Sequence, residues 1–280
     1  MHPVERAIEL LRDNYVFPEL AEVAATTLRQ RLAAGAYHGL DEPALAKRLT
    51  TDLLDLCRDA HLVVRVRDDR NARVRPAIRR VEILDGNIGY LDVRGLALSE
   101  DGGRAMVASM ELVSRTDALI LDLRRNGGGS PDGVALWSSY FLPAEPTHLN
   151  SMYDRVTGQT RQYWSLAWLP GERYLDRPLR VLTSHRTFSG AEELCLNLHV
   201  RGRARLIGET TRGGAHPADT FSLTPTMEIA VPHAHPINPI TGGNWEGTGI
   251  EPDLAVPAET AFSVAYRELR CRPDARPGQI

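Results

Sequence analysis

A serine that opens a helix directly behind an apolar run is placed where chemistry can be done. Leu179, Val181 and Leu182 read as a strand, a short polar turn follows, and Ser189-Gly190-Ala191-Glu192-Glu193-Leu194 begins a helix. At such a junction the hydroxyl lies beside unsatisfied N–H groups and the positive end of the helix dipole. Those donors would stabilise the negative charge that develops when a hydroxyl attacks a carbonyl. The same serine with Glu192 three residues later also spells a capping box. The stretch alone leaves both a nucleophile and a helix cap open.

Three other stretches carry residues of chemical interest. Asn126-Gly127-Gly128-Gly129 follows an apolar run, and its glycines would uncover backbone N–H groups for a ligand oxygen. It lacks the spacing and the lysine of a phosphate loop, leaving an oxyanion loop or a tight turn. His61, in Asp59-Ala60-His61, offers a neutral imidazole as a general base, or is a histidine satisfied by its surroundings. Glu246, in Asn244-Trp245-Glu246-Gly247, could orient an imidazole and support its charged form, or be a solvated loop residue. His233 and His235 alternate, with His216 upstream, but nothing marks a convergent ligand set, so no metal is expected. Tyr163, Trp164 and Trp168 suit packing or the rim of a groove.

The elements that must position these residues follow from periodicity. Val4, Ala7, Ile8, Leu10 and Leu11 predict a helix that stops near Pro18. A second helix runs from Leu20 to about Ala34, and a third follows Pro43, a residue suited to a first helical turn. Strands are predicted at 62–66, 81–84, 88–93, 118–123, 179–183, 206–208 and 228–231, with helices at 102–114, from Pro131, from Ser189 and at 260–269. Residues 67–80 are arginine-rich and less regular, and 143–178 suggest a loop with a hairpin. Strands alternating with helices imply an α/β core, here preceded by a helical N-terminal subdomain over residues 1–60.

Composition narrows the classes. The 280 residues are 42% hydrophobic with a net charge of -3, enough for a sizeable core and no case for nucleic acid. Cys57, Cys195 and Cys271 lie far apart, which fits neither a disulfide framework nor a metal knuckle. Neither a signal peptide nor a membrane-spanning run is recognisable, so a cytoplasmic protein without a membrane partner is expected. Lys47 is the only lysine.

Taken in order, Asp59-Ala60-His61-Leu62, Asp122 to Gly128, Thr183 to Glu192, Gly208 to Pro217 and Asn244 to Asp253 resemble the S41 peptidases. This family includes the tail-specific or C-terminal processing proteases, the tricorn core protease and the retinoid-binding-protein repeats. Tyr15-Val16-Phe17-Pro18 is similar to the helical subdomain of the retinoid-binding-protein-like members. The resemblance implies a ClpP/crotonase-like β/α spiral core over residues 61–280. A PDZ domain does not fit, because only about 20 residues separate the first strand from Val81. A serine–lysine dyad does not fit either, since no lysine follows Lys47.

The resemblance therefore implies a serine hydrolase, expected to be a peptidase, of the tricorn type. Ser189 would be the nucleophile, His61 the base and Glu246 its support; Ala60 stands where the tricorn type carries a serine. Gly190 with Gly127 or Gly128 would form the oxyanion hole, and no cofactor is implied. A peptide or small acyl substrate is expected, and a homo-oligomer is compatible with the sequence. Two other classes stay open: a non-catalytic binder of a lipid or other apolar ligand on the same fold, and an enzyme of acyl chemistry acting on a small metabolite.

Overall fold

The structure is a computed structural model that describes residues 2–67, 76–96 and 100–271. In chain order the elements are α1 (Pro3–Asn14), α2 (Pro18–Ala33), α3 (Glu42–Cys57), β1 (Val63–Val66), β2 (Ile78–Leu84), β3 (Ile88–Val93) and α4 (Glu100–Val113). Then come β4 (Ala118–Asp122), α5 (Pro131–Phe141), β5 (His148–Asp154), β6 (Gln159–Trp164), β7 (Leu179–Thr183) and α6 (Gly190–His199). The chain continues through β8 (Arg205–Gly208), β9 (Ala218–Ser222), β10 (Met227–Pro232), β11 (Ala234–Ile237), β12 (Leu254–Ala255) and α7 (Ala258–Arg270). Among the described residues no helix is long and apolar enough to cross a membrane.

The chain divides into two compact units. The first comprises Met1–Val74, Ser151–Arg161 and Gly214–Gly247; the second comprises Arg75–Asn150, Gln162–Gly213 and Thr248–Ile280. The helical segment read from the sequence is thus joined, within the first unit, by two later stretches of chain.

In the first unit each N-terminal helix starts with proline in its first turn, where the missing N–H costs nothing. Asp41 caps α3 by accepting the N–H of Ala44 at 2.9 Å. The helices bury their apolar faces against a sheet of order β1-β10-β9. Ile8, Leu11, Leu28, Leu49 and Leu53 meet Val64, Met227, Ile229 and Val231 there. Arg58 ends α3 in the left-handed region at φ 55, turning the chain into Asp59-Ala60-His61.

The second unit is a six-stranded sheet of order β12-β8-β7-β4-β3-β2, parallel except for β2. β3 and β4 are buried along their whole length, which fits their mainly apolar sequences, Asp92 and Asp122 being the buried exceptions. α7 packs on β7 and β8, and its Ala261, Ala265 and Leu269 join Ile120, Leu182 and Ile207 in the core. This is the mixed α/β class with N-terminal helices and a parallel sheet that the sequence implies.

Local differences have local causes. β9 and β11 are absent from the sequence reading, because β9 is an edge strand whose residues are half-buried or exposed and β11 is only four residues long. The region 143–178 holds β5 and β6, and β5 pairs with β11 through Ser151–Asp154. Part of the arginine-rich stretch after β1 lies outside the described residues.

Candidate active site

The sequence-derived residues fall into two groups, one in each unit. Ser189, Gly190, Gly127 and Gly128 come together in the second unit; His61 and Glu246 belong to the first.

Ser189 stands between β7 and α6 with φ 56 and ψ -128, a backbone conformation that a residue with a Cβ rarely adopts. The turn is held on both sides. Glu192 accepts the Ser189 N–H at 2.8 Å, so the carboxylate half of the capping box is real. The other oxygen of Glu192 accepts the Thr211 hydroxyl at 2.5 Å and the Gly213 N–H at 2.7 Å. Its role is therefore larger than a cap: it ties the serine turn to the loop after β8.

The glycine loop lies directly on this turn. A Cβ on Gly128 would come within 2.8 Å of the Gly190 nitrogen, the Phe188 oxygen and the Ser189 Cβ, and Gly128 itself has φ 98. Both facts require glycine at this position. Asn126 staples the loop in place. Its side chain accepts the Gly128 N–H at 2.8 Å and donates to the Val93 carbonyl at 3.1 Å, while its own carbonyl accepts the Phe188 N–H at 3.1 Å.

The Gly128 N–H donates to Asn126. The N–H groups of Gly127 and Gly190 donate to no acceptor among the described residues. Gly128 serves by its shape. Ser184, the other serine near the turn, is buried and donates to the Arg124 carbonyl at 2.6 Å, a structural use. His185 is exposed and engaged with Glu209 at 2.9 Å, which holds the Glu209 carboxyl below its ordinary range.

The first unit holds a buried cluster of acids and imidazoles. Asp59, 1% exposed, receives three donors: the His61 N–H at 3.0 Å, the Tyr15 hydroxyl at 3.2 Å and His216 Nδ1 at 2.7 Å. Glu246 receives the N–H groups of Ala60 at 2.8 Å and Ala215 at 2.5 Å, and lies 3.5 Å from His216 Nδ1. A nitrogen of the His61 ring, an oxygen of Asp59 and an oxygen of Glu246 lie within 4.8 Å of one another. The Trp245 indole donates to the Gly214 carbonyl at 2.8 Å and so anchors the chain that presents Glu246.

Burial and crowding set the electrostatics. Desolvation, then the neighbouring Asp59 charge, raise the Glu246 carboxyl above its ordinary range, while the two backbone donors and His216 oppose that rise. Desolvation and Asp59 push the Cys57 thiol up to about 12 and raise the Tyr15 phenol as well. Aromatic rings cover the cluster: Phe17 meets His216 edge-on at 5.3 Å and stacks on His235 at 5.9 Å.

The spacing of Asp59, His61 and Glu246 is one a metal ion could use. Both carboxylates already hold protein donors on both oxygens, which leaves this set better suited to orienting an imidazole than to binding a cation. His233 pairs with Asp154 at 2.8 Å and takes no part in the cluster. Sequence reasoning pointed to His61 and Glu246, read Glu192 only as half of a capping box, and gave Asp59 and Tyr15 no role at the site. It weighed His216 as a metal ligand, where nothing marked a convergent set. Of the aromatic group, Trp164 stacks on His148 at 4.8 Å and Trp168 is 78% exposed.

Comparison with known proteins points the same way as these motifs. Residues 87–256 match peptidase family S41, and residues 1–84 match the N-terminal domain of peptidase S41 in eukaryotic IRBP. The carboxy-terminal processing protease CtpA of Bacillus subtilis is 26% identical over 154 residues, covering 54% of this chain and 31% of the relative. The chain thus spans under a third of that relative's length in the alignment. A putative peptidase from Parabacteroides merdae superposes with a TM-score of 0.71 at 17% identity, covering 99% of this chain and 98% of the other. The photosystem II D1 C-terminal processing protease gives 0.59 at 16% identity, covering 98% of each. The tricorn protease gives 0.63 at 14% identity, covering 95% of this chain and 36% of its own.

Proposed function

We propose that this chain, which belongs to peptidase family S41, is a serine peptidase with Ser189 as its nucleophile. In this reading Ser189 Oγ attacks the carbonyl carbon of a peptide bond. His61 takes the hydroxyl proton and returns it to the leaving amine. Glu246 orients the imidazole and stabilises its charged form. The N–H groups of Gly190 and Gly127 stabilise the oxyanion. Water then repeats the sequence on the acyl-enzyme.

The observation that carries this reading is the Ser189 turn: a non-glycine residue held at positive φ, beside the glycine loop and two N–H groups that donate to no acceptor among the described residues. Strain maintained by a dedicated buried carboxylate, Glu192, is hard to explain as a helix cap alone. The carboxylate–imidazole spacing of Glu246 and His61 supports the base assignment. A peptide substrate is supported by the names of the relatives, which include processing proteases.

The test is labelling by a fluorophosphonate probe, followed by turnover of a peptide library. Wild type should be labelled once per chain on Ser189 and should cleave peptides, and Ser189→Ala should lose at least about 10⁴-fold in turnover. Labelling of wild type and Ser189→Ala to the same extent would refute the assignment. Labelling of Ser189 without any peptide cleavage would redirect it to small acyl substrates.

A further inference from the structure

The cluster in the first unit contains one histidine more than the proposed mechanism uses. His216 is 4% exposed, and its Nδ1 lies 2.7 Å from Asp59 and 3.5 Å from Glu246. An ionised carboxylate only accepts hydrogen bonds, so beside Asp59 this nitrogen acts as the donor, with Glu246 as the second acid next to it. We infer that His216 is a positioning residue whose Nδ1–H clamps the Asp59 and Glu246 carboxylates, so that Glu246 is held as the anion beside His61. The inference rests on the assignment of His61 and Glu246 made above.

Three observations carry it. A buried Asp59 and a half-buried Glu246 this close repel each other, and withdrawing them from water is costly unless donors replace it. The donors on Glu246 are two backbone N–H groups, which bring no full charge. The groups facing the cluster are Asp59, Glu246, His61, the Tyr15 phenol, the Cys57 thiol and His235. His216 Nδ1 sits beside both carboxylates, 2.7 Å from Asp59 and 3.5 Å from Glu246.

His216 is also poorly placed to be the base itself. Its ring is enclosed, with Phe17 against it at 5.3 Å, whereas His61 is only partly buried. A base has to meet substrate; a clamp does not. The Gly213–Pro217 loop that carries His216 is held through Ala215, whose N–H binds the same Glu246 carboxylate. Losing the His216 donor removes an influence that lowers the Glu246 proton affinity, while burial and Asp59 continue to raise it.

The experiment is His216→Asn in the full chain, which keeps a neutral donor and removes the imidazole. We expect kcat/KM to fall about tenfold at pH 6 and about threefold at pH 8, with KM nearly unchanged, because the loss is one of Glu246 ionisation. Added to Glu246→Gln, the same substitution should cost nothing further, since His216 acts through that carboxylate. An equal loss at both pH values, or losses that multiply in the double variant, would overturn the clamp. A second measurement does not need turnover. The ¹³C carboxyl signal of Glu246, assigned by its disappearance in Glu246→Gln, should titrate at higher pH in His216→Asn than in wild type. An unchanged midpoint overturns the inference even if Ser189 proves to be the nucleophile. A shifted midpoint in a chain that cleaves no peptide sustains the clamp and refutes only the peptidase reading. If His216→Asn does not fold, His216→Gln is measured and read in the same way.

Discussion

The turn around Ser189 and the cluster around Asp59 are both partly buried polar constructions, but they are built from different materials. The serine turn is made of backbone. Its features are a positive φ, a glycine loop in van der Waals contact, and main-chain N–H groups that donate to Asn126 and Glu192. The cluster is made of ionisable side chains contributed by Tyr15, Asp59, His61, His216 and Glu246. The first places donors by steric fit, so its tolerance is measured in tenths of an ångström. The second holds charge, so its tolerance is measured in pH.

That contrast can be broken most severely at Gly128. Gly128→Ala should reduce turnover by about 10³-fold, because the added methyl would lie within contact distance of two backbone atoms of the serine turn. It should also destabilise the fold by about 3 kcal/mol, at the upper end for overpacking because the positive φ adds strain. Thermal melts and burst-phase acylation measured on one preparation would check both. A variant that melts like wild type and acylates at the wild-type rate would show that the loop is not sterically fixed.

The charge-holding side is probed by two substitutions whose ranking matters more than their size. His61→Ala should lower acylation by about 10⁴-fold and Glu246→Gln by about 10²-fold, the base being removed in one case and only its support in the other. Single-turnover acylation gives the ranking. The reverse order would make Glu246 the proton acceptor. Because burial and Asp59 raise the Glu246 carboxyl, wild-type activity should also fall at acidic pH as that group takes up a proton.

The smallest expected effect on turnover comes from Glu193, beside Glu192 but without its ring of donors. Both are buried, and the neighbours of Glu193 are the side chains of Asn150 and Asn197. Desolvation pushes its carboxyl up to about 7. A folded-state pKa above the unfolded one means that the folded chain binds this proton more tightly. The stability it contributes is therefore complete below the ordinary carboxylate range and is lost as pH rises through about 7. Glu193→Gln should remove this dependence. Urea melts should show the variant more stable than wild type by up to about 3 kcal/mol at pH 8 and similar to it at pH 4. Equal stability at pH 8 would show that water or a rearranged partner already satisfies the carboxylate.

Much of the serine half was legible along the chain because its parts are local. An apolar strand, a polar turn and Ser189 with Glu192 three residues on announce the β7–α6 junction, and a run of glycines after an apolar strand announces a tight backbone approach. The start of α3 was equally plain, marked by Pro43 in its first turn. The edge strand β9 was not legible, since it has no apolar face to reveal its period.

What the sequence determined by itself was the family, the alternation of strands and helices, and the absence of any lysine after Lys47. These rest on residue identity and short spacings, which folding does not alter. Tertiary structure alone decided which groups share a buried space. Asp59 and His216 are 157 positions apart and Ala60 and Glu246 are 186 apart, and no periodicity relates them. It also decided which donors are already in use: the Gly128 N–H bonds to Asn126, whereas that of Gly127 meets no acceptor among the described residues. Hydrogen bonding and desolvation act over a few ångströms, and only the folded chain brings sequence-distant residues within that range.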